Sequence, residues 1–240
     1  MKKQPGQRHF PYQHPTFGTA KKPKPASSWE NTVYYWWWAY LRRSDAYLET
    51  CERNGEGPCS AIYPDFGDVR SDDFKAWWSE NSRGVHLFAE PRAEDMVRVL
   101  EKGELPETDE NTLTISIPLY FPKEFLIRSI AELLDKHHKG KRGKQHARES
   151  QARYKVRTQP NIPALKRGLM VYDFRRDNPE MTLWRVAEKV LELTKDQKQK
   201  LKDRDPNIQA EARRVLAATV NRYLKRVRGT ITATENGLFP

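Results

Sequence analysis

The sequence predicts a mainly α (α+β) protein: a tryptophan-rich helical N-terminal module with a small β element, followed by a C-terminal bundle of three helices. Apolar residues recur at intervals of three and four in both halves, which is the pattern of helices that bury one face. Polar and apolar residues alternate at Thr112–Tyr120, which indicates one half-buried strand. The 7 Trp, 10 Tyr and 9 Phe provide large side chains for a core, although only 37% of residues are apolar.

The formal net charge of +11 is unevenly distributed along the chain. Residues 1–28 carry a net charge of +6, residues 29–110 of −9 and residues 111–240 of +14. This distribution predicts four parts: a disordered basic arm at 1–28, an N-terminal α+β module at 29–138, a basic linker at 139–160 and a C-terminal domain at 161–240. The basic half favours a nucleic-acid partner. The alternative is that its charge only promotes solubility.

The sequence contains no apolar run long enough to span a bilayer and no signal-peptide core, so we expect a cytoplasmic protein without membrane contact. Cys51 and Cys59 are expected to be free thiols and, without neighbouring histidines, to bind no metal. The carboxylates of Asp65–Asp73 are interpreted as a solvated acidic surface; a metal-dependent nuclease is the alternative. We predict no enzymatic activity and no cofactor.

Three consecutive tryptophans distinguish the N-terminal module. Trp36, Trp37 and Trp38 follow Ser28 and Asn31, either of which can cap a helix, and three neighbouring side chains on a helix cannot all face one way. We expect these rings in a core or an oligomer interface, with base stacking as the alternative.

Further elements are predicted between the tryptophans and the linker. Helices are expected at Ala93–Glu101 and Lys123–His137, and Val85–Phe88 is the predicted partner of the strand at Thr112–Tyr120.

The C-terminal domain is predicted to contain three amphipathic helices, at Pro163–Arg176, Leu183–Leu193 and Ile208–Arg228. Apolar residues of the third helix form one stripe: Ile208, Ala212, Val215, Leu216, Val220, Tyr223, Leu224, Val227 and Ile231. Basic residues lie off that stripe, so one side can pack on a core while the other contacts an anionic surface. We interpret this helix, within 208–228, as the recognition helix of a helix-turn-helix-type domain. The alternative is the solvated face of an ordinary bundle.

A short N-terminal segment resembles known bacterial regulators. Trp38 and Tyr40–Tyr47 resemble the WEFLRRNPxY segment of small regulators encoded on integrative conjugative elements. Ser44 and Asp45 stand where that segment has Asn-Pro.

The C-terminal half resembles the DNA-binding domain of RovC-like transcription factors. The resemblance is carried, in chain order, by Leu165, Leu169, Tyr172-Asp173, Leu183–Glu188, Val220–Arg228 and Gly237–Pro240. It implies a helix-turn-helix DNA-binding activator of type VI secretion genes that contacts promoter DNA and the transcription machinery. Two features depart from the family pattern: Trp184-Arg185 at the start of the second helix, and an insert at Lys195–Pro206.

The candidate DNA-binding residues are basic or amide side chains. Asn221, Arg222, Lys225 and Arg226 are expected to reach base edges, because Arg222 and Arg226 lie four residues apart and project together. The others are expected to hold phosphates: Arg185, Lys198, Lys200, Lys202, Arg213, Arg214 and Arg228, with Lys141, Arg142 and Lys144 of the linker.

One basic helix has a small footprint on DNA, so we expect a homo-oligomer that binds duplex DNA symmetrically. The alternative function is an RNA- or protein-binding adaptor or inhibitor from a mobile element, which the tryptophans and the acidic middle favour.

Overall fold

The computed structural model describes residues 9–91, 99–101, 103–105, 113–137, 150–156 and 160–239. Over these residues the chain is mainly helical, with one antiparallel sheet of two strands, which confirms the predicted mainly α (α+β) class. No helix within the described ranges is long and apolar enough to cross a membrane.

The described chain begins with a segment that lies on the aromatic core and contains a short hairpin. Strand β1 (Gly18–Thr19) pairs antiparallel with β2 (Lys22–Pro23). Three aromatic side chains of this segment pack against the core: Phe10, Tyr12 and Phe17. The prediction of a disordered arm is therefore wrong for residues 9–28, because these rings bury apolar surface that a solvated basic tail lacks. Residues 1–8 lie outside the described ranges.

Three helices follow the hairpin: α1 (Ser27–Glu30), α2 (Val33–Leu41) and α3 (Asp45–Glu52). Helix α2 carries the three consecutive tryptophans, and eight of its side chains are buried. A helix that is apolar on nearly all sides needs neighbours on all sides. It therefore lies at the centre of the fold.

The start of α2 differs from the prediction. Its cap is Thr32, whose hydroxyl oxygen accepts a hydrogen bond from the amide of Tyr35 at 3.4 Å. Of the predicted caps, Ser28 lies inside α1 and Asn31 directly follows it. The short helix α1 therefore uses these residues before α2 begins.

The next segment consists of short helices that cover one side of α2. They are α4 (Tyr63–Phe66), α5 (Phe74–Ser79) and α6 (Arg83–Phe88), with a 3₁₀ turn at Glu80–Ser82 between the last two. Their buried aromatic side chains are Phe66, Phe74, Trp77, Trp78 and Phe88.

The predicted strand at Thr112–Tyr120 and its partner at Val85–Phe88 are not observed. Residues 113–120 contain no strand, and Thr112 lies outside the described ranges. Val85–Phe88 belongs to α6, where the amide of Ala89 donates to the carbonyl of Val85 at 3.0 Å. A backbone whose hydrogen-bonding groups are used within a helix cannot pair with a strand.

Helix α7 spans Lys123–His137, the same residues as predicted, but none of them is buried. Apolar side chains exposed on this helix are Phe125, Ile127, Leu133 and Leu134. The other helix predicted in this region, Ala93–Glu101, lies outside the described residues up to position 98, and residues 99–101 are not helical.

The C-terminal part contains α8 (Ile162–Asp177), α9 (Leu183–Val190), α10 (Lys195–Lys200) and α11 (Pro206–Glu235). Helices α8, α9 and α11 pack together as the predicted bundle. Its buried residues are Val171, Val186, Ala187, Leu216, Val220 and Leu224.

Part of the predicted linker is docked on the core. Residues 150–156 are described, and Ala152 and Val156 are buried. The amide of Tyr154 donates to the carbonyl of Leu87 at 2.9 Å, and Val156 forms a parallel bridge with Phe239. A free basic linker is therefore the wrong description of residues 150–156, because apolar side chains at this end of the segment enter the core.

The aromatic core crosses the predicted boundary between the two modules. It includes Leu169, Val227, Ile231 and Phe239 as well as the rings around α2. Polar contacts add to it: the Tyr40 hydroxyl of α2 donates to the carbonyl of Leu165 at 3.1 Å.

Candidate nucleic-acid interface

Helix α11 positions most of the candidate DNA-binding residues. It begins at Pro206, whose missing amide suits a first helical position, and the Asp205 carboxylate accepts from the amide of Asn207 at 2.8 Å. It ends at Glu235, and Gly237, two residues further on, adopts φ 66°, a conformation that glycine tolerates best. At 30 residues the helix is about 45 Å long.

The buried side of α11 is a single stripe of apolar residues that begins at Leu216. Its members are Leu216, Val220, Leu224, Val227 and Ile231. The predicted stripe also included Ile208 and Val215, but these are 39% and 46% exposed. Val215 lies about 100° around the helix from Leu216, outside the side that α9 covers.

The opposite side of α11 is basic and open to solvent. Six candidate residues on this side are exposed: Arg214, Asn221, Arg222, Lys225, Arg226 and Arg228. Arg213 is exposed as well, but it lies in line with the apolar stripe, three residues before Leu216. The sequence between Ala212 and Thr234 contains no Asp or Glu. Because these side chains are exposed, the described residues of the acidic N-terminal part do not cover this side of α11.

These residues form two adjacent rows. Arg214, Asn221, Lys225 and Arg228 are separated by seven, four and three residues, so they share one side of the helix over about 21 Å. Arg222 and Arg226 lie next to this row. The small residues Ala218 and Gly229 are also exposed and leave a low surface between the long side chains.

The cations of this surface differ in whether they have a hydrogen-bonding or ion-pair partner within the chain. Arg214 pairs with Glu211 at 2.9 Å, and Arg222 donates to the Thr219 hydroxyl at 3.2 Å. Lys225, Arg226 and Arg228 form no ion pair with any described residue. Cations without a carboxylate partner attract mobile counterions in solution, which a polyanion would release on binding.

Arg213 and Arg185 lie at a second position, beside Trp184 of α9. The guanidinium carbons of Arg213 and Arg185 lie 4.9 and 5.3 Å from the centroid of the Trp184 ring. Sequence reasoning missed this role of Trp184. The only available signal was an Arg directly after a Trp in the first turn of a helix.

The insert between α9 and α11 contains the helix α10, which packs on α11. Thr194 and Gln197 form a reciprocal capping box at its start. The predicted phosphate contacts Lys198, Lys200 and Lys202 are exposed there, and Lys200 pairs with Asp196 at 2.9 Å. This connection is longer than the three- to four-residue turn of a helix-turn-helix motif. Lys141, Arg142 and Lys144 lie outside the described residues.

The tryptophans of α2 contribute to the core and not to a surface. Trp36, Trp37 and Trp38 are 7%, 0% and 2% exposed. The Trp37 ring stacks on Phe239 at 5.3 Å, and Trp38 packs on Phe74 at 5.2 Å. A ring enclosed in this way cannot stack on a base, and it offers no surface to a second subunit.

The carboxylates of Asp65–Asp73 serve separate structural contacts. Asp65 accepts from the Tyr154 hydroxyl, and Asp68 pairs with Arg70. The hydrogen bonds from Arg70 lower the pKa of Asp68. Asp72 pairs with Arg42, and Asp73 caps α5. Among the described residues, no group of His, Cys, Asp and Glu is arranged to hold a metal ion.

The two cysteines are buried and free. Burial raises the pKa of both thiols, so they are poor nucleophiles at neutral pH.

Comparisons with protein-family models, with curated proteins and with solved structures find no match for this chain. The resemblance to RovC-like regulators therefore stays a prediction. The basic side of α11 is the structural feature that bears on function.

Proposed function

We propose that the protein is a DNA-binding transcription regulator that acts as a homo-oligomer and contacts duplex DNA with the exposed side of α11. One observation carries the proposal: five Lys and Arg residues, Arg214, Arg222, Lys225, Arg226 and Arg228, lie on the side of α11 that faces solvent, and the sequence between Ala212 and Thr234 contains no Asp or Glu.

The charge of this surface suits a polyanion. Lys225, Arg226 and Arg228 have no carboxylate partner in the described part of the chain, so phosphates can pair with them without first breaking an ion pair. Arginine donates to phosphates in a bidentate geometry, and four of the five cations on this side of α11 are arginines: Arg214, Arg222, Arg226 and Arg228. Release of condensed counterions then supplies a large part of the binding free energy.

The long helix and the helical connection before it favour a particular way of binding. A recognition helix of a helix-turn-helix protein contacts bases with residues near its N-terminus. Here the row from Arg214 to Arg228 occupies the middle of α11. We therefore propose that α11 lies lengthwise against the groove, with Lys225 and Arg228 on phosphates and Asn221 and Arg222 nearest the base edges.

The regulatory part of the proposal derives from the RovC-like resemblance. On that basis the target is promoter DNA, the outcome is activation, as of type VI secretion genes, and the transcription machinery is a further partner.

The test compares charge-removing variants by fluorescence anisotropy on a duplex of about 30 base pairs over a range of salt concentrations. We expect the variant Lys225→Ala/Arg228→Ala to bind more weakly, with a salt dependence (log K against log salt) that is less steep by about 1.8. We expect Arg222→Ala/Arg226→Ala to lose preference among duplex sequences as well. The control Lys75→Ala/Lys123→Ala removes two exposed positive charges elsewhere and should bind like the wild type.

Two results would contradict the proposal. Wild-type affinity and salt dependence in both α11 variants would exclude this helix as the contact surface. Stronger competition by single-stranded RNA than by duplex DNA would favour the alternative function as an RNA-binding adaptor.

A further inference from the structure

Trp184 is a partly exposed tryptophan of the C-terminal bundle. It lies in the first turn of α9 and is half-buried against the cluster formed by α8, α9 and α11. Part of its ring therefore remains at the surface, beside the basic residues of two different helices.

Two guanidinium groups lie on this one ring. The Cζ atom of Arg213 is 4.9 Å from the ring centroid and that of Arg185 is 5.3 Å, both within the range of cation–π contacts. Arg213 is further held by a hydrogen bond from its Nη2 to Oε1 of Gln209 at 3.0 Å. Neither arginine forms an ion pair with a described carboxylate.

We infer that Trp184 is a positioning residue that holds Arg185 and Arg213 ready for the phosphodiester backbone of duplex DNA. This inference rests on the proposed function and extends its surface from α11 to the start of α9.

The physical reason is the cost of ordering arginine side chains. A free arginine loses much of its rotamer freedom when it binds a phosphate, whereas a guanidinium already held over an aromatic ring loses less. The negative face of the indole ring also reduces the repulsion between two nearby cations. A phosphate then meets two donors that are already in place.

Three variants separate the contributions of the apolar side chain of Trp184, its aromatic face and the two charges beside it. Trp184→Leu keeps an apolar side chain in the bundle but removes the aromatic face. Trp184→Phe keeps an aromatic face. Arg185→Ala/Arg213→Ala keeps the ring and removes both charges from exposed positions.

The experiment measures the affinity of each variant of the full chain for a random-sequence duplex of about 30 base pairs at several salt concentrations. We expect Trp184→Leu to bind about three- to ten-fold more weakly with an unchanged salt dependence, because both charges remain. Trp184→Phe should restore most of the affinity. Arg185→Ala/Arg213→Ala should make the salt dependence less steep by about 1.8.

A second measurement tests the geometry without DNA. In the NMR spectrum the side-chain protons of Arg185 and Arg213 should be shifted upfield by the Trp184 ring current, and this shift should disappear in Trp184→Leu. Should Trp184→Leu fail to fold, Trp184→Phe and the arginine variant decide the question, since the two arginines lie at the surface.

Wild-type affinity in Trp184→Leu, or an unchanged salt dependence in Arg185→Ala/Arg213→Ala, would overturn the inference. Lys225→Ala/Arg228→Ala in the same series separates the two proposals. If that variant binds weakly while the Trp184 and Arg185/Arg213 variants bind like the wild type, only the inference fails. If the wild type itself does not bind the duplex, the proposed function fails with it.

Discussion

Gly84 in α6 lies against the indole ring of Trp78. A Cβ atom at this position would be 2.2 Å from two atoms of that ring. The ring cannot move aside easily, because Tyr34 and Phe88 lie against it with centroids at 5.6 and 5.9 Å. We expect Gly84→Ala to lower the free energy of unfolding by about 1–3 kcal/mol or more, measured by urea denaturation.

The matched control is Gly229→Ala on the exposed side of α11. A Cβ atom there has no neighbour within 4 Å, so only helix propensity changes. Alanine is favoured over glycine within a helix by about 1 kcal/mol, and we expect a gain in stability of that order at most. Equal effects of the two substitutions would show that the packing around Trp78 does not limit the space at Gly84.

Buried tyrosines are expected to make stability fall at alkaline pH. Burial raises the pKa of Tyr34, Tyr40 and Tyr47 above the ordinary value of 10.0. Above about pH 10 the unfolded chain releases these protons while the folded protein keeps them, so the unfolded state gains stability as the pH rises. Their contribution is therefore complete below pH 10 and is lost above it.

Urea denaturation between about pH 8 and about pH 11 measures this effect. We expect the decrease in stability above pH 10 to be smaller in Tyr47→Phe, which cannot ionise there. The same variant should be less stable at neutral pH by about 1 kcal/mol, because the Tyr47 hydroxyl donates to the carbonyl of Gly67 at 2.8 Å. A decrease as large as in the wild type would exclude Tyr47 as a source.

At the scale of helices and strands, the longer helices were predictable from local spacing. The bounds of α7 agree with the prediction, and those of α8 differ from it by one residue at each end. Periodic apolar residues identify such a helix without knowledge of its neighbours. They do not show what covers it: none of the residues of α7 is buried, although the helix has apolar side chains.

Strand predictions failed because a strand needs a partner. The alternating residues of Thr112–Tyr120 could form a stable strand only beside a second extended segment. The predicted partner, Val85–Phe88, is helical. The observed hairpin at Gly18–Pro23 has only two residues in each strand, too few for any alternation to be recognised.

The candidate site was predictable where it depends on one helix. An apolar stripe from Leu216 to Ile231 places Arg214, Lys225 and Arg228 on the opposite side by helical geometry alone. The contact between Trp184 and Arg213 joins two helices, so spacing within either helix could not reveal it.

At the scale of the whole molecule, contacts of the turn between α2 and α3 join the aromatic core to the C-terminal bundle. Arg43 forms two hydrogen bonds with Asp173 of α8, at 3.2 and 2.7 Å. Ser44 donates to Glu235 at the end of α11 at 2.6 Å. The uneven distribution of charge along the sequence predicted two separate modules. The shared core was not foreseen, because the apolar residues that form it are far apart in the chain.

This shared core predicts that residues 161–240 are less stable alone than in the full chain. In the isolated segment Leu169, Val227, Ile231 and Phe239 would lose the rings of α2 and expose apolar surface. In the full chain we expect one cooperative urea transition, with tryptophan fluorescence and far-UV circular dichroism changing together. The two probes are suitable because six of the 7 Trp lie between Trp29 and Trp78, whereas the dichroism also reports α8 and α11. Two separate transitions, or an isolated segment that unfolds at the same urea concentration as the full chain, would show instead that the C-terminal helices fold independently.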